Sequence, residues 1–166
     1  MNSTYYTPSV LTTNVNISPN SLKADINNTL LVLLKQKYEG VCNKDGYIVK
    51  DSIDIVNRSI GEIKTLNNSS LINYNITYKC NIISPSIDNE YDSFVSTINK
   101  LGIISYIKFS EEGTIEESPF IIIIPKEYLD EALFDSITVG DKVKIKIKSF
   151  RVKYLSKQIQ IVATIV

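Results

Sequence analysis

The strictest constraint on this chain is the alternation over residues 71–83, where Ile72, Tyr74, Ile76, Tyr78 and Cys80 recur at every second position. A period of two is that of an extended strand, and it puts all five side chains on one face of a sheet. A cover for that face lies upstream. From Leu22 onward Ile26, Leu30, Leu33, Leu34 and Tyr38 fall at helical spacing, with Lys35 and Lys37 near the end. This pattern predicts one amphipathic helix of about 17 residues over 22–38. Ser18-Pro19-Asn20-Ser21 supplies a turn and two candidate N-caps. Residues 10–17 alternate as a first strand, preceded by a loose arm over residues 1–7.

Between helix and long strand runs Glu39-Gly40-Val41-Cys42-Asn43-Lys44-Asp45-Gly46-Tyr47-Ile48-Val49, then Ile60-Gly61-Glu62-Ile63. Gly40 closes the helix, Gly46 follows a turn at Asn43–Asp45, and Gly61 breaks the returning strand, each position suiting a residue free to take positive φ. Strands are expected at 41–42 and 47–56, with a second turn at Asn67-Asn68-Ser69-Ser70.

Ser84-Pro85-Ser86 interrupts the ladder, and the charge balance changes beyond it, which places a domain boundary between residues 83 and 84. The second half carries five short alternating segments, at 94–99, 103–109, 120–124, 143–150 and 158–166, with a short helix expected at 125–131. Five strands with a helix between the third and fourth describe the oligonucleotide-binding barrel. The fold class is therefore α+β: one long helix on an antiparallel sheet over residues 1–83, then a five-stranded barrel over 84–166.

Inventory excludes several chemistries. The chain has no histidine and two cysteines, Cys42 and Cys80, without a CxxC spacing. Zinc ligation, a Cys–His pair and a Ser–His–Asp triad all lack their parts. Two cysteines in a chain of 166 residues read as buried reduced thiols. The carboxylates Glu111, Glu112, Glu116 and Glu117 flank Gly113, with nothing apolar nearby to raise a pKa, so they read as a solvated loop and not a catalytic pair. No cofactor, metal or catalytic residue is expected. The first residues carry no basic region or apolar core of a signal peptide, and no run approaches the ~18 apolar residues of a membrane span. An intracellular location is the expectation.

A formal net charge of +0 excludes a uniformly basic nucleic-acid binder, so any such contact needs a local asymmetry. One exists: residues 81–141 hold twelve acids and three bases, whereas residues 142–166 hold seven bases and no acid. Lys142, Lys144, Lys146 and Lys148 alternate with Val143, Ile145 and Ile147, which aligns four ammonium groups on one side of a strand. Arg151, Lys153 and Lys157 extend the tract, with Tyr154 as a stacking surface. A charged outward face also keeps a small barrel soluble, so the stripe has a purely structural reading as well.

The two halves together resemble the RNA polymerase stalk subunit, the family of the seventh subunit of eukaryotic RNA polymerase II and its archaeal counterpart. The resemblance rests on Glu39, Gly40 and Cys42, on Gly46, Tyr47, Ile48 and Val49, and on Ile60, Gly61, Glu62 and Ile63. It spans residues 11–166. Its motifs are specific in the first domain and generic in the barrel. The chain departs from the family at the domain junction, with Ser84-Pro85 and Asn89-Glu90-Tyr91 in place of Arg-Pro and Lys-Gly-Glu. Gly102-Ile103-Ile104 replaces a Gly-aromatic-Phe start to the second barrel strand. Isoleucine- and asparagine-rich usage with short loops is similar to divergent versions carried by large cytoplasmic DNA viruses.

The resemblance implies an N-terminal tip domain that docks on the polymerase core near the clamp, and an S1-like barrel that projects outward. The docking residues it implies are Glu39, Gly40, Gly46, Tyr47, Ile60, Gly61 and Ile63, with Tyr47 and Ile63 as exposed apolar anchors. The implied partners are the largest and other core polymerase subunits, a small helical stalk subunit, and nascent single-stranded RNA along the basic tract. Such a subunit would lie in host cytoplasm and virion if viral, or in the nucleus if cellular. Alternatives are a free-standing S1-type RNA-binding protein and a mimic of a translation initiation factor that decoys a host kinase.

Overall fold

The computed structural model describes residues 5–22 and 24–166. The described chain is mostly strand, of the α+β class with few helices, and it divides into two compact units. One comprises residues Tyr6–Gly40 and Ile48–Ile82. The other gathers Val41–Tyr47 with Ile83–Val166.

In the first unit, strand β1 (Thr7–Ile17) runs antiparallel to β5 (Ser69–Ile83) in unbroken register from Thr7 opposite Ile82 to Ile17 opposite Ile72. The opposite edge of β5 is shared by three short strands: β2 (Tyr47–Ile48), β3 (Asp54–Arg58) and β4 (Glu62–Leu66). Helix α1 (Ile26–Tyr38) supplies the apolar side chains that this sheet needs. Leu30, Leu34 and Tyr38 are buried in one cluster with Tyr74, Ile76, Tyr78 and Cys80, the face that alternation in β5 predicts. Tyr38 and Tyr78 stack with ring centroids 6.0 Å apart. Each such buried side chain contributes about 1.5–3 kcal/mol of hydrophobic stabilisation.

Three local expectations change. The helix starts at Ile26, not Leu22, because Asp25 takes the N-cap: its carboxylate accepts from the Asn28 amide at 3.1 Å. Ser18 and Ser21 instead bond each other at 2.9 Å across a 3-10 turn opened by Pro19. The strand expected over 47–56 splits after Ile48, where Asp51 adopts φ 57 and the Ser52 hydroxyl donates to the Val49 carbonyl. The arm over residues 1–7 is not loose where it is described. Thr7 already pairs in β1, and within the barrel unit the ring of Tyr5 lies 5.8 Å from that of Tyr91. Residues 1–4 lie outside the described residues.

In the second unit, strands β6 (Glu90–Asn99), β7 (Gly102–Tyr106), β8 (Phe120–Pro125), β9 (Lys142–Arg151) and β10 (Ile159–Ile165) close into a barrel. Its order is β10-β8-β7-β6-β9, with β10 parallel to β8 and antiparallel to β9. A 3-10 turn (Lys126–Tyr128) and helix α2 (Glu131–Ser136) connect β8 to β9. This connectivity is consistent with the oligonucleotide-binding barrel. Its interior is aliphatic, with Ile103, Ile122, Ile124, Ile145, Ile147 and Ile159 fully buried. Gly102 (φ 149) sits where a Cβ would collide with the Ile124 carbonyl oxygen, so only glycine fits the close approach of β7 to β8.

Two barrel strands differ from expectation by more than one residue at an end. β6 begins at Glu90 and not Phe94, because Glu90 and Asp92 find partners opposite Lys146 and Lys144 on β9. β7 stops at Tyr106, since the Ile107 amide leaves the ladder to donate to the Ser118 hydroxyl at 3.2 Å.

Candidate functional site

The run 39–49 is built from caps and turns. Glu39 ends α1 and its carboxylate accepts from the Ile53 amide at 3.0 Å, tying the helix end to the far side of the split strand. Gly40 follows at φ 73, the left-handed position that closes helices, and donates to the Ile48 carbonyl at 2.9 Å. The Asn43 side chain accepts from the amides of Asp45 and Gly46, at 2.7 and 2.9 Å, which forms the tight turn before β2. Gly46 has φ 154.

Tyr47 is not an exposed anchor. It is only 6% exposed, and burial, with Cys42 and Glu117 nearby, raises its phenol pKa. The resemblance implied an exposed anchor here, but Tyr47 bridges Cys42 through the main chain across the turn and its side chain is out of solvent. Gly61 also departs from expectation: it is not in the left-handed region, and its requirement is steric. A Cβ there would lie 2.7 Å from Ile72 Cγ2 and 2.9 Å from the Tyr74 ring. Beside that close seat, Ile60 and Ile63 are 82% and 78% exposed. Of the seven candidate docking residues, Ile60 and Ile63 are exposed aliphatic side chains either side of Gly61 in the first unit, where β4 begins, while Glu39, Gly40, Gly46 and Tyr47 act as internal braces.

The basic tract divides in the same way. Lys142, Lys144 and Lys146 are bridged to Asp92, Glu90 and Asp88 at 2.9, 2.6 and 3.5 Å. Three of the four lysines of the strand's stripe thus form a ladder with acids of β6 and its approach. The pairing is mutual: Lys144 holds the Glu90 carboxyl below the usual carboxylate range, and Glu90 raises the Lys144 ammonium. The signal was present in the sequence as Asp88-x-Glu90-x-Asp92 against Lys142-x-Lys144-x-Lys146, two matched alternations that become neighbours only once the barrel closes.

Beyond the ladder, Lys148, Arg151, Lys153 and Lys157 make no ion pair among the described residues. They surround the β9–β10 turn, where Tyr154 is 57% exposed and Phe150 40%. Phe150 was missed by sequence reasoning, although it stands in phase with Lys142 to Lys148 and out of phase with Val143, Ile145 and Ile147. Cys42 braces this turn: its amide donates to the Ser156 carbonyl and its carbonyl accepts from the Leu155 amide, each at 2.8 Å. Burial pushes the Cys42 thiol pKa up, partly offset by a hydrogen bond with Ser156. The turn is therefore preorganised, with Leu155 held at φ 60. Tyr106, at the end of β7, and Phe109, beyond it, are half-buried, and Phe109 meets Tyr5 edge-on at 6.2 Å.

Among the described residues no group of three or more acidic, cysteine or histidine side chains is placed to hold a metal ion. Among the same residues no helix is long and apolar enough to cross a membrane. No family model matches this chain, and no curated protein matches it. One solved structure similar to it is that of an uncharacterized protein from Methanocaldococcus jannaschii. The two are 12% identical over 51% of this chain and 96% of that one, with a TM-score of 0.38, a likeness too loose to bear on function.

Proposed function

We propose that this chain is a non-catalytic stalk subunit of a DNA-directed RNA polymerase. The first unit serves as its tip domain and docks near the clamp through Ile60, Gly61 and Ile63. The barrel is S1-like and holds nascent single-stranded RNA at the β9–β10 turn. A small helical stalk subunit completes the heterodimer. The observation that carries this reading is the exposure of Ile60 and Ile63 on either side of a glycine pressed against Ile72 and Tyr74. Large aliphatic side chains left in solvent add little to the fold, and buried at the centre of an interface they supply affinity. In the sequence these residues form the I-G-E-I run on which the resemblance to the stalk family partly rests.

The test is co-purification from native extract with the full chain and an Ile60→Asp, Ile63→Asp double variant. The wild type brings down large polymerase subunits, and the variant loses them while its barrel spectrum is unchanged. A wild-type chain that purifies free of polymerase overturns the reading.

The second reading, a free-standing S1-type RNA-binding protein, is favoured by the four unpaired cations around Phe150 and Tyr154. Stacking on an aromatic supplies about 1–3 kcal/mol per base, and cations beside it track the phosphates. A chain that migrates alone with RNA selects this reading over the stalk.

A further inference from the structure

The outer edge of β1 has no partner among the described strands, and it lacks the usual protection of a bare edge. Eleven residues, Thr-Pro-Ser-Val-Leu-Thr-Thr-Asn-Val-Asn-Ile, carry no charge, and their register against β5 has no bulge. Edges left open to solvent are normally blunted by charges, bulges or proline. Here the prolines stand only at the ends, Pro8 and Pro19.

The hydrogen-bonding phase of the edge follows from the other side of β5. Asn75 accepts from the Ser59 amide and donates to the Ser59 hydroxyl, while Asn81 accepts from the Val49 amide. The odd residues of β5 therefore point their main-chain groups away from β1, and its even residues bond β1. Given the register, the odd residues of β1 face β5. The amides and carbonyls of Val10, Thr12, Asn14 and Asn16 face the open edge.

We infer that this edge pairs with the same edge of a second copy of this chain, antiparallel about a twofold axis at Asn14, extending the sheet across a homodimer. The register is chosen by the side chains. With Asn14 opposite itself, Thr12 meets Asn16 of the second copy, continuing a polar ladder that already runs from Asn73 to Asn16 (2.7 Å) and from Asn75 to Asn14 (3.3 Å). Asn14 and Asn16 accept in those bonds, which leaves their own amide donors for the next strand. On the other face Leu11 meets Ile17 and Thr13 meets Val15, shape-matched pairs of the kind that stabilise sheets. Pro8 and Pro19 bound the paired stretch at both ends.

The space beside the edge suits this occupant. A 510 Å³ groove lined by Val15, Leu33, Leu34 and Lys37 among others adjoins the strand, and a 520 Å³ groove at Ile17, Val32 and Leu33 continues it. Leu11 of the second copy, opposite Ile17, would enter the second groove. A strand without charge pairs with its own copy without like-charge repulsion, whereas a charged peptide would meet no complement on β1. The inference does not depend on the polymerase reading.

The test is sedimentation equilibrium of the full chain up to about 1 mM, since edge pairing of this extent falls in the weak, small-interface class. The mass rises from 18.7 kDa towards twice that value as concentration increases. Asn14→Lys sets two ammonium groups face to face, and Thr12→Pro removes an edge amide while sparing the main-chain ladder to β5, at the loss of the exposed Thr12–Thr77 hydroxyl contact. Both variants stay monomeric. Amide exchange on the wild type supplies the readout that needs no variant: Thr12, Asn14 and Asn16 slow by about tenfold with concentration, and Leu11, Thr13 and Val15 do not change. A mass of one chain at every concentration overturns the inference. So does a dimer that survives both substitutions, or one whose edge amides do not respond.

Discussion

β5 and β10 are both strands of alternating apolar side chains, yet they leave their units with different surfaces. β5 is the centre of an open sheet covered on one face by a single helix, so its unit retains free edges and an uncovered apolar turn at Ile60 and Ile63. β10 bonds β8 on one side and β9 on the other, which closes the barrel and leaves no edge. Closure satisfies the main chain internally, so a barrel interacts through side chains and loops. The open sheet can also interact through its backbone. The two units thus offer different kinds of contact, aliphatic and main-chain in one, cationic and aromatic in the other.

The largest effect expected from breaking this contrast is in the open unit's core. Leu34→Ala removes a fully buried contact between α1 and the sheet and should lower stability by about 2–5 kcal/mol. Chemical denaturation followed at the Tyr38–Tyr78 pair measures it. A loss below about 1 kcal/mol would mean that the helix is not the sheet's essential cover.

Next is the barrel's tightest approach. Gly102→Ala drives a Cβ against the Ile124 carbonyl and should cost about 3 kcal/mol, at the upper end for overpacking because the obstacle is backbone. Gly61→Ala, which meets the movable ends of Ile72 and Tyr74, should cost less than Gly102→Ala in the same denaturation series.

A pH effect follows in the open unit. Burial pushes the Cys80 thiol pKa up to about 11 from an ordinary 9.0. A raised folded pKa means that stability is complete below the unfolded pKa and is lost as pH rises towards the folded one. Melting temperature should fall between pH 9 and 11, and Cys80→Ala should flatten that limb relative to wild type.

The smallest effect on stability belongs to the ion-pair ladder, which is solvent-exposed. Glu90→Gln should leave the melting temperature nearly unchanged at neutral pH. Because the Glu90 pKa is depressed, its contribution is present above the unfolded carboxylate pKa and fades as pH falls through the folded value. The same variant frees Lys144, so binding to single-stranded RNA should strengthen and its salt dependence steepen. Unchanged RNA affinity in Glu90→Gln, together with lost affinity in Lys153→Glu with Lys157→Glu, would confine the contact to the β9–β10 turn.

What could be read from the sequence was whatever repeats at a fixed period. β5, the amphipathic face of α1, the five barrel segments and the left-handed turn at Asn67 and Asn68 are all local patterns. Boundaries were less legible, because Asp25 outcompetes Ser18 and Ser21 as a cap through hydrogen bonds that a propensity does not rank. The candidate sites were legible only as inventories. The lysines of β9 were visible, but their neutralisation depends on which strand lies beside them. Tyr47 stands where the resemblance implied an exposed anchor, and the fold buries it.

The sequence by itself determined that one helix must cover one long alternating strand, that five further strands can close on an aliphatic interior, and that these 166 residues hold no histidine. Period and inventory are properties of neighbours along the chain. The tertiary structure decided which cations remain unpaired, which apolar residues stay in water, and which strand edge is left open. Those outcomes are set by residues far apart in sequence: Asp88, Glu90 and Asp92 against β9, and Cys42 against Leu155 and Ser156. Charge and hydrogen-bond partners are assigned by proximity in space, which no local pattern encodes.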